Sequence, residues 1–312
     1  MNAKGDKSDV SEKRPYLMDC FFIVGPTATG KSEIAAEVAQ RLGAEIVSAD
    51  AFQIYRGLDL LTAKPDPATL AKAAHHLIGS VPQSEEMNVE KYRAAAERII
   101  ARGKPTIVVG GSGLYIKALT HGLAPLPGAS PKLREKLERA TSRELLRSLR
   151  TLDPATAEKI DQQNRRRLIR AVEVCLLTGK AFSAQRTEWG GTLPVNGVLV
   201  YRERAELYAR IDRRVEEMFS AGVVGEVRAQ KNIGPTAEKT LGLREIRALL
   251  AGEISQAECI ARIQQATRRY AKRQLTWFQR QTNFAPLNLS AHRTSEAVEL
   301  ISQSASRVFA RG

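Results

Sequence analysis

Short apolar runs typical of buried strands alternate with helix-spaced apolar positions through roughly the first 120 residues. The predicted strands cover residues 20–24, 44–49 and 106–109. The predicted helices cover residues 32–42 and 89–101, and Gly43 stands where a helix C-cap is typical. Strands and helices that alternate in this way predict a parallel sheet with helices on both of its faces.

The pattern changes after about residue 121, where strand signals stop and the chain becomes helical and charged. Residues 124–128 resemble a linker, residues 131–179 have helical spacing, and glycines and prolines punctuate residues 190–197. An apolar run at residues 198–201 predicts a strand that returns to the sheet. We therefore predict an α/β core that contains an inserted α-helical domain. The predicted boundaries are a loose polar tail at residues 1–15, a core at residues 16–121 and 198–312 whose C-terminal part is helical, and an insertion at residues 122–197.

The chain is strongly basic, with 48 Lys and Arg against 34 Asp and Glu, a net charge of +14 over 312 residues. Such a balance favours a polyanionic partner, either nucleic acid or an acidic membrane surface. No apolar stretch is long enough to span a bilayer, so we expect no membrane association. Three scattered cysteines indicate neither a zinc site nor a disulfide framework, which is typical of a cytoplasmic protein. His75 and His76 are interpreted as structural or substrate-lining.

Residues 25–32 match the pattern G-x-x-x-x-G-K-[ST] between a predicted strand and a predicted helix. Glycines in such a loop let backbone N–H groups turn toward phosphate oxygens, and the helix adds its positive N-terminal end. Lys31 supplies a positive charge, and the Ser32 hydroxyl is placed to ligate Mg²⁺. The predicted phosphate-binding residues are Gly25, Pro26, Thr27, Ala28, Thr29, Gly30, Lys31 and Ser32.

The acid that P-loop hydrolases use to hold magnesium is missing. Those enzymes place an aspartate at the end of a hydrophobic strand, whereas the strand at residues 106–109 runs into Gly110-Gly-Ser-Gly113. Asp50 instead follows the strand at residues 44–49. Because ligands of parallel sheets bind beyond the carboxyl ends of the strands, Asp50 and the P-loop are expected to share one crevice. The missing acid disfavours a plain ATPase.

Five segments, in order, resemble motifs of the tRNA dimethylallyltransferase family. They are the P-loop and residues 48–65, 110–119, 167–180 and 267–278, and the resemblance extends from about residue 20 to about residue 285. It implies a P-loop-type parallel sheet core flanked by helices, with an α-helical insertion domain that contacts tRNA. Three positions depart from the family pattern: Leu61 replaces a glycine, Leu243 a tyrosine, and Asn164 an acid.

The resemblance implies transfer of a dimethylallyl group from dimethylallyl diphosphate to the N6 amine of the adenosine beside the anticodon, tRNA position 37. Asp50 would accept the amine proton, while Lys31, the loop amides and Mg²⁺ would stabilise the leaving diphosphate. Arg214 resembles the family arginine that also reaches the diphosphate, and Ser112 occupies a catalytic position usually held by threonine. The implied partners are the tRNA anticodon stem-loop and dimethylallyl diphosphate, with Mg²⁺ as cofactor, and we expect a monomer.

Basic residues fall in a pattern that suits RNA. On a helix, Arg262, Arg269, Arg273 and Arg280 would lie within about 40° of one another, opposite an apolar face. Tyr55, Trp277 and Phe278 are candidates for stacking on splayed bases. The tRNA-binding residues predicted from the motifs are Asp50, Ala51, Phe52, Gln53, Ser112, Arg134, Arg166, Arg167, Arg170, Lys239, Gly242, Arg244, Arg269, Lys272, Arg273, Gln274, Thr276 and Trp277.

Three other functions remain open at this point. An enzyme that prenylates free adenine nucleotides would share the P-loop and Asp50 but has little use for a long insertion. A nucleoside or small-molecule kinase would make Lys31 a ligand of ATP. A non-catalytic RNA-binding protein could carry a relic P-loop, although intact Gly30, Lys31, Ser32 and Asp50 argue against it.

Overall fold

Six parallel strands form the sheet that positions the site. The computed structural model describes residues 20–124, 126–185 and 196–310. The strands are β1 (Cys20–Val24), β2 (Glu45–Ser48), β3 (His75–His76), β4 (Thr106–Gly110), β5 (Gly197–Tyr201) and β6 (Ala285–Asn288). They pair in the order β3-β2-β4-β1-β5-β6, and every pairing is parallel. The carboxyl ends of all six strands therefore lie along one edge of the sheet.

The predicted α/β fold with a parallel sheet is confirmed, and two of its strands were not predicted. β3 is only two residues long and consists of polar His75 and His76, so it carries no apolar run. β6 contains Pro286 and pairs on one side only, with β5. Proline is tolerated on edge strands because its missing N–H is not needed there. Such a strand lacks the signal that marked the buried ones.

Helices cover both faces of the sheet and form most of the C-terminal part. They are α1 (Lys31–Leu42), α2 (Pro67–Leu70), α3 (Val89–Ile100), α4 (Gly113–His121), α5 (Pro131–Arg139), α6 (Ser142–Leu152), α7 (Pro154–Lys159), α8 (Arg165–Thr178), α9 (Phe182–Gln185), α10 (Arg204–Ser220), α11 (Val223–Arg228), α12 (Leu243–Leu250), α13 (Gln256–Gln281) and α14 (Thr294–Phe309). Gly43 caps α1 in the left-handed conformation, as predicted. In the described part of the chain, no helix is both long and apolar enough to cross a membrane.

Alternate side chains of the central strands build two separate cores. Phe22 and Val24 of β1 pack on one face of the sheet with residues of α3, α4 and α13. Phe21 and Ile23 pack on the other face with residues of α1 and α14. Both sides of β1 are therefore buried, which explains why this strand is a continuous apolar run rather than an alternating one.

A third apolar cluster holds the C-terminal helices together, and it contains both leucine departures from the family pattern. Leu61 and Leu243 are buried in this cluster with Val215 and Ile263. Gly242 has φ +92°, and a Cβ at that position would lie 3.0 Å from Leu61 Cδ1. Leu61 and Leu243 thus fill core volume beside Gly242, whose positive φ favours glycine.

The chain divides into two compact units, Met1–Thr120 with Thr192–Gly312, and His121–Gly191. The second unit contains α5 to α9, whose apolar residues form their own core around Leu145, Leu149 and Leu168. Asn164, the third departure, caps α8 by accepting a hydrogen bond from Arg167 N, a role that an acid would also fill. The predicted tail at residues 1–15 and most of the punctuation at residues 190–197 lie outside the described residues.

Candidate active site

The P-loop joins β1 to α1 and is closed by its own side chains. Thr29 Oγ1 donates to Pro26 O at 3.0 Å, and Lys31 Nζ donates to the same oxygen at 3.2 Å. Gly30 has φ +92° and Ala28 has φ +65°. Left-handed residues alternating with ordinary ones aim successive N–H groups into one concavity, which is an anion-binding arrangement.

Three arginines on or just before α10 hold the P-loop from outside. Arg202 Nε donates to Thr29 O at 2.9 Å, and Arg210 Nε donates to Ala28 O at 2.8 Å. Arg214 Nη2 donates to Thr27 Oγ1 at 2.9 Å. These contacts fix the loop and surround it with positive charge.

Of these three arginines, only Arg214 is predicted from the sequence. The spacing of Arg210 and Arg214 places them on the same face of a helix, so this spacing could have revealed Arg210. Arg202 directly follows β5 and approaches the loop only because β5 pairs with β1.

Burial lowers the pKa values of two cationic side chains at the P-loop. Burial lowers the pKa of Lys31 to about 8; the charge of Asp50 opposes this shift, whereas Arg214 adds to it. Burial also lowers the pKa of Arg214 to about 10, again against the influence of Asp50. The buried Nε of Arg214 has no hydrogen-bond partner among the described residues. An unsatisfied buried donor is costly, so this atom indicates a place for an anionic acceptor.

Asp50 follows β2 and forms a local turn. Its Oδ1 accepts hydrogen bonds from Phe52 N at 2.9 Å and Gln53 N at 3.1 Å. Within the described chain, no donor makes a hydrogen bond to Oδ2. The turn therefore orients the carboxylate and leaves one oxygen available as an acceptor.

Asp50 and the P-loop line the same cavity at the carboxyl edge of the sheet. The cavity is lined by Lys31, Ser32, Ser48, Asp50, Gln53, Pro65, His75, Ile78, Val109 and Gly110. The prediction that Asp50 and the P-loop share one crevice is confirmed. β4 contributes Val109 and Gly110 and no carboxylate, as its sequence indicated.

The side-chain oxygens of this cavity fit Mg²⁺ as part of a coordination shell that water and substrate phosphates complete. Among the described residues, no group of three His, Cys, Asp or Glu could hold a metal by itself. Mg²⁺ is commonly bound through few protein oxygens, with waters and substrate phosphates completing its shell. Ser32 lines the cavity beside Lys31, and its hydroxyl could be one of those oxygens.

Gln274 differs from its predicted role as a tRNA contact. The residue is buried; Thr27 N donates to its Oε1, and its Nε2 donates to Gly111 O, both at 2.9 Å. Both ends of the side chain are therefore used to join the P-loop to the turn after β4. A Cβ at Gly111 would collide with this amide, which explains the glycine.

Ser112 joins two loops beside the cavity rather than lining it. Its Oγ accepts from Ala51 N at 2.9 Å, next to Asp50. Ser112 thus supports the turn that carries Asp50. Burial and the charge of Asp50 raise the pKa of Tyr270.

Two of the three aromatic stacking candidates are core residues. Phe278 is fully buried, and Tyr55 is buried with its hydroxyl donating to Thr236 Oγ1 at 2.6 Å. Trp277 is half-buried, and a Cβ at Gly113 would collide with its ring. Trp277 therefore remains the candidate for stacking on a base. The half-buried members of the predicted tRNA-binding set also include Ala51, Phe52, Gln53 and Thr276.

The outer face of α13 is basic, as the spacing predicted. The exposed residues of this basic face are Arg262, Arg269, Lys272, Arg273 and Arg280. Arg262 pairs with Glu258 at 2.6 Å. Arg244, near the start of α12, has a side chain that is 90% exposed. Lys239 lies in a short 3₁₀ helix and Gly242 caps α12, where its positive φ gives it a structural role.

The four predicted arginines of the helical unit have two different roles. Arg134 Nε lies 3.1 Å from Glu173 Oε1, and Arg170 Nη1 lies 2.7 Å from Glu173 Oε2. Glu173 has no exposed surface, so these two arginines neutralise a buried charge. Arg166 and Arg167 are exposed and remain candidates for RNA contact.

Comparisons with known proteins agree with this site. The family model described as IPP transferase matches residues 53–281, and a second model, Isopentenyl transferase, matches residues 18–84. The tRNA dimethylallyltransferase 1 of Citrifermentans bemidjiense is 45% identical, covering 81% of this chain and 87% of that protein. A tRNA dimethylallyltransferase of Caulobacter sp. strain K31 is 44% identical, covering 83% and 89%.

Solved structures share the fold. The full-length tRNA isopentenylpyrophosphate transferase of Bacillus halodurans has a TM-score of 0.68 at 31% identity, covering 94% of this chain and 97% of that one. A eukaryotic dimethylallyltransferase acting on tRNA has a TM-score of 0.77 at 24% identity over 92% and 80% of the two chains, a likeness of fold alone. With its P-loop, its strand-end aspartate and these relatives together, the chain belongs to the tRNA dimethylallyltransferase family.

Proposed function

We propose that the protein transfers the dimethylallyl group of dimethylallyl diphosphate to the N6 amine of the adenosine beside the anticodon, tRNA position 37, and releases diphosphate. The observation that carries this proposal is one cavity that is lined both by Lys31 and Ser32 of the P-loop and by Asp50. A cradle for a diphosphate and an acceptor for a proton are the two groups that this reaction needs.

The P-loop is the proposed site of the diphosphate. Its N–H groups, Lys31 and the unpartnered Nε of Arg214 would bind phosphate oxygens. The diphosphate gains negative charge as the allylic C–O bond breaks, so these fixed donors stabilise the transition state more than the ground state. Ser32 would hold Mg²⁺, which when bound neutralises part of the diphosphate charge.

Asp50 is the proposed general base. An exocyclic amine is a weak nucleophile, and its proton must leave as the new C–N bond forms. Oδ1 is occupied by two backbone N–H groups, so Oδ2 is the oxygen that accepts this proton. The turn that holds Asp50 keeps Oδ2 in place before the substrate arrives.

The anticodon stem-loop of tRNA is the proposed acceptor substrate. The basic face of α13 offers Arg269, Lys272 and Arg273, and the helical unit offers Arg166 and Arg167. A net charge of +14 adds a long-range attraction for a polyanion. We propose that one copy of the chain suffices for the reaction.

One assay separates this function from its rivals. The protein is incubated with labelled dimethylallyl diphosphate, Mg²⁺ and either tRNA or AMP, and ATP hydrolysis is followed in parallel. Label should appear in tRNA alone, with no appreciable ATPase activity, and a Lys31→Met control should show neither activity. Label in AMP would identify a free-nucleotide enzyme, and tRNA-stimulated ATP hydrolysis would overturn the proposal.

Replacing Arg269 and Arg273 together by Ala should weaken tRNA binding and flatten its salt dependence. Each lost phosphate contact lowers the slope of log K against log salt by about one unit. The control is the double variant Arg98→Ala with Arg102→Ala, which removes the same charge from exposed residues at the end of α3. This control should leave the slope unchanged. Equal slopes in both double variants would mean that the α13 face is merely solvated.

Binding of an organic diphosphate should weaken above pH 8, because Lys31 then loses its proton in the free protein. A bound anion raises the pKa of Lys31, so affinity should fall by up to about tenfold per pH unit between the free and bound pKa values. The ligand adds no titration of its own there, since phosphate groups ionise last near a pKa of about 6. Lys31→Met should bind weakly at every pH. Parallel pH curves for the two proteins would contradict this role of Lys31.

A further inference from the structure

The amide orientation of Gln53 is dictated by its partners. Its Nε2 donates to Thr62 O at 3.2 Å and to Ala63 O at 2.9 Å. Both partners are backbone carbonyls, which only accept hydrogen bonds, so the nitrogen rather than the oxygen must face them. Both amide hydrogens are therefore used inside the protein.

The remaining atom of this amide, Oε1, is an acceptor without a donor among the described residues. Gln53 lines the same cavity as Asp50 and the P-loop. A glutamine normally offers both a donor and an acceptor, and here only the acceptor remains. Two residues that follow β2 thus line the cavity and each keep one acceptor without a donor among the described residues, Oδ2 of Asp50 and Oε1 of Gln53.

We propose that Gln53 determines specificity for an amino group on the target base. This inference rests on the proposed function and names a part of its recognition. An exocyclic amine carries two hydrogens: Asp50 accepts the one that is transferred, and Gln53 Oε1 accepts the other. A base with a carbonyl oxygen at the same position would face two acceptors and be rejected, since a buried acceptor left without a donor is costly.

A carboxylate from a distant helix keeps Gln53 in this orientation. Residues 59–63 form a turn, called here the 59–63 turn. Glu226 of α11 accepts from three of its consecutive N–H groups, Asp59 at 2.7 Å and Leu60 and Leu61 at 2.9 Å. The turn presents Thr62 O and Ala63 O to Gln53. Glu226 is therefore a positioning residue that acts through the 59–63 turn and Gln53.

The test is a double-mutant cycle in which the Gln53 side-chain amide and the amine of the target base are removed separately and together. The affinity for the stem-loop is measured in each case. The ligands are two synthetic anticodon stem-loops that carry adenosine or purine ribonucleoside, which lacks the amine, at the target position. Gln53→Met should bind the adenosine stem-loop about tenfold more weakly than the parent protein does, which is the value of one hydrogen bond. It should bind the purine stem-loop as tightly as the parent protein does. An equal loss for both stem-loops would overturn the inference, because it would mark a general structural effect.

Glu226→Gln tests the positioning role. This variant replaces one acceptor oxygen by a donor that faces backbone N–H groups. The adenosine preference, meaning the ratio of the affinities for the adenosine and purine stem-loops, should therefore fall, as it does in Gln53→Met. Adding Glu226→Gln to Gln53→Met should lower the preference no further. Glu296→Gln is the matched control, because Glu296 of α14 also accepts a hydrogen bond from a backbone N–H group, that of Arg293, at 3.0 Å. The adenosine preference of this control variant should equal that of the parent protein. An unchanged preference in Glu226→Gln would remove Glu226 from this role.

The unaltered protein provides an outcome that does not depend on any variant. It should bind the adenosine stem-loop about tenfold or more tightly than the purine stem-loop. If it transfers dimethylallyl to tRNA yet binds the two stem-loops equally, the role of Gln53 is wrong and the proposed function stands. If it transfers nothing to tRNA, the proposed function itself fails.

Discussion

Replacing Asp50 by Asn should lower turnover by about 10²–10⁴, the usual contribution of general-base catalysis. The N–H groups of Phe52 and Gln53 require an acceptor at Oδ1, so the new amide should place its oxygen there and its NH₂ group toward the cavity. The turn would be kept and the proton acceptor lost. The loss should therefore appear in kcat rather than in KM, because the proton is shared only in the transition state.

Single-turnover rates at two magnesium concentrations test this prediction. They are compared at mildly acidic pH, because Asp50 raises the pKa of Lys31 and its removal would otherwise change the charge of the P-loop. Asp66→Asn is the control, since Asp66 caps α2 and does not line the cavity, and its turnover should equal that of the parent. Full recovery by added magnesium would show that Asp50 holds the metal and is not the base.

Replacing both Arg134 and Arg170 by Ala should destabilise the helical unit by about 3–5 kcal/mol. Glu173, which has no exposed surface in the folded protein, would keep only Ser130 N, at 2.9 Å, of the described donors that now reach it. A buried carboxylate without cationic partners is strongly unfavourable. Both arginines were predicted to bind tRNA, so a loss of tRNA binding in this variant would arise through unfolding rather than through lost contacts.

Hydrogen exchange over α5 and α8, together with thermal unfolding, measures this effect. Adding Glu173→Leu to the two arginine changes should recover most of the lost stability, because the triple variant buries no charge. Arg139→Ala is the control in the same unit. Its partner Glu135 is 66% exposed, and such pairs contribute less than about 1 kcal/mol. Normal stability with impaired tRNA binding in the Arg134 and Arg170 variant would restore their predicted role as RNA contacts.

Local patterns were sufficient for the parts of the site that lie within single segments. The P-loop was predicted from residues 25–32 because a strand, a glycine-rich turn and a helix are all encoded next to one another. Asp50 was found because it directly follows a buried strand. The basic face of α13 followed from helical spacing alone, since an uninterrupted helix has one geometry.

Residues that connect distant segments could not be predicted in the same way. The segment at residues 267–278 predicts Gln274 as a tRNA contact, yet Gln274 lies 247 residues after its partner Thr27 and joins the P-loop to the turn after β4. Arg134 and Arg170 look like RNA-binding arginines until the burial of Glu173 is known. A charged or amide side chain has the same sequence signature whether it binds solvent, a buried carboxylate or a ligand.

The sequence by itself determined the parallel α/β core, the P-loop, Asp50 as the acid beyond β2 and the basic face of α13. Each depends on residues close together in the chain, whose spacing or order dictates local geometry. Only the tertiary structure decided that Arg202 holds the P-loop, that Gln53 presents a lone acceptor, and that Glu226 fixes the 59–63 turn. These roles depend on which backbone groups the folded chain brings within about 3 Å, the distance over which a hydrogen bond acts.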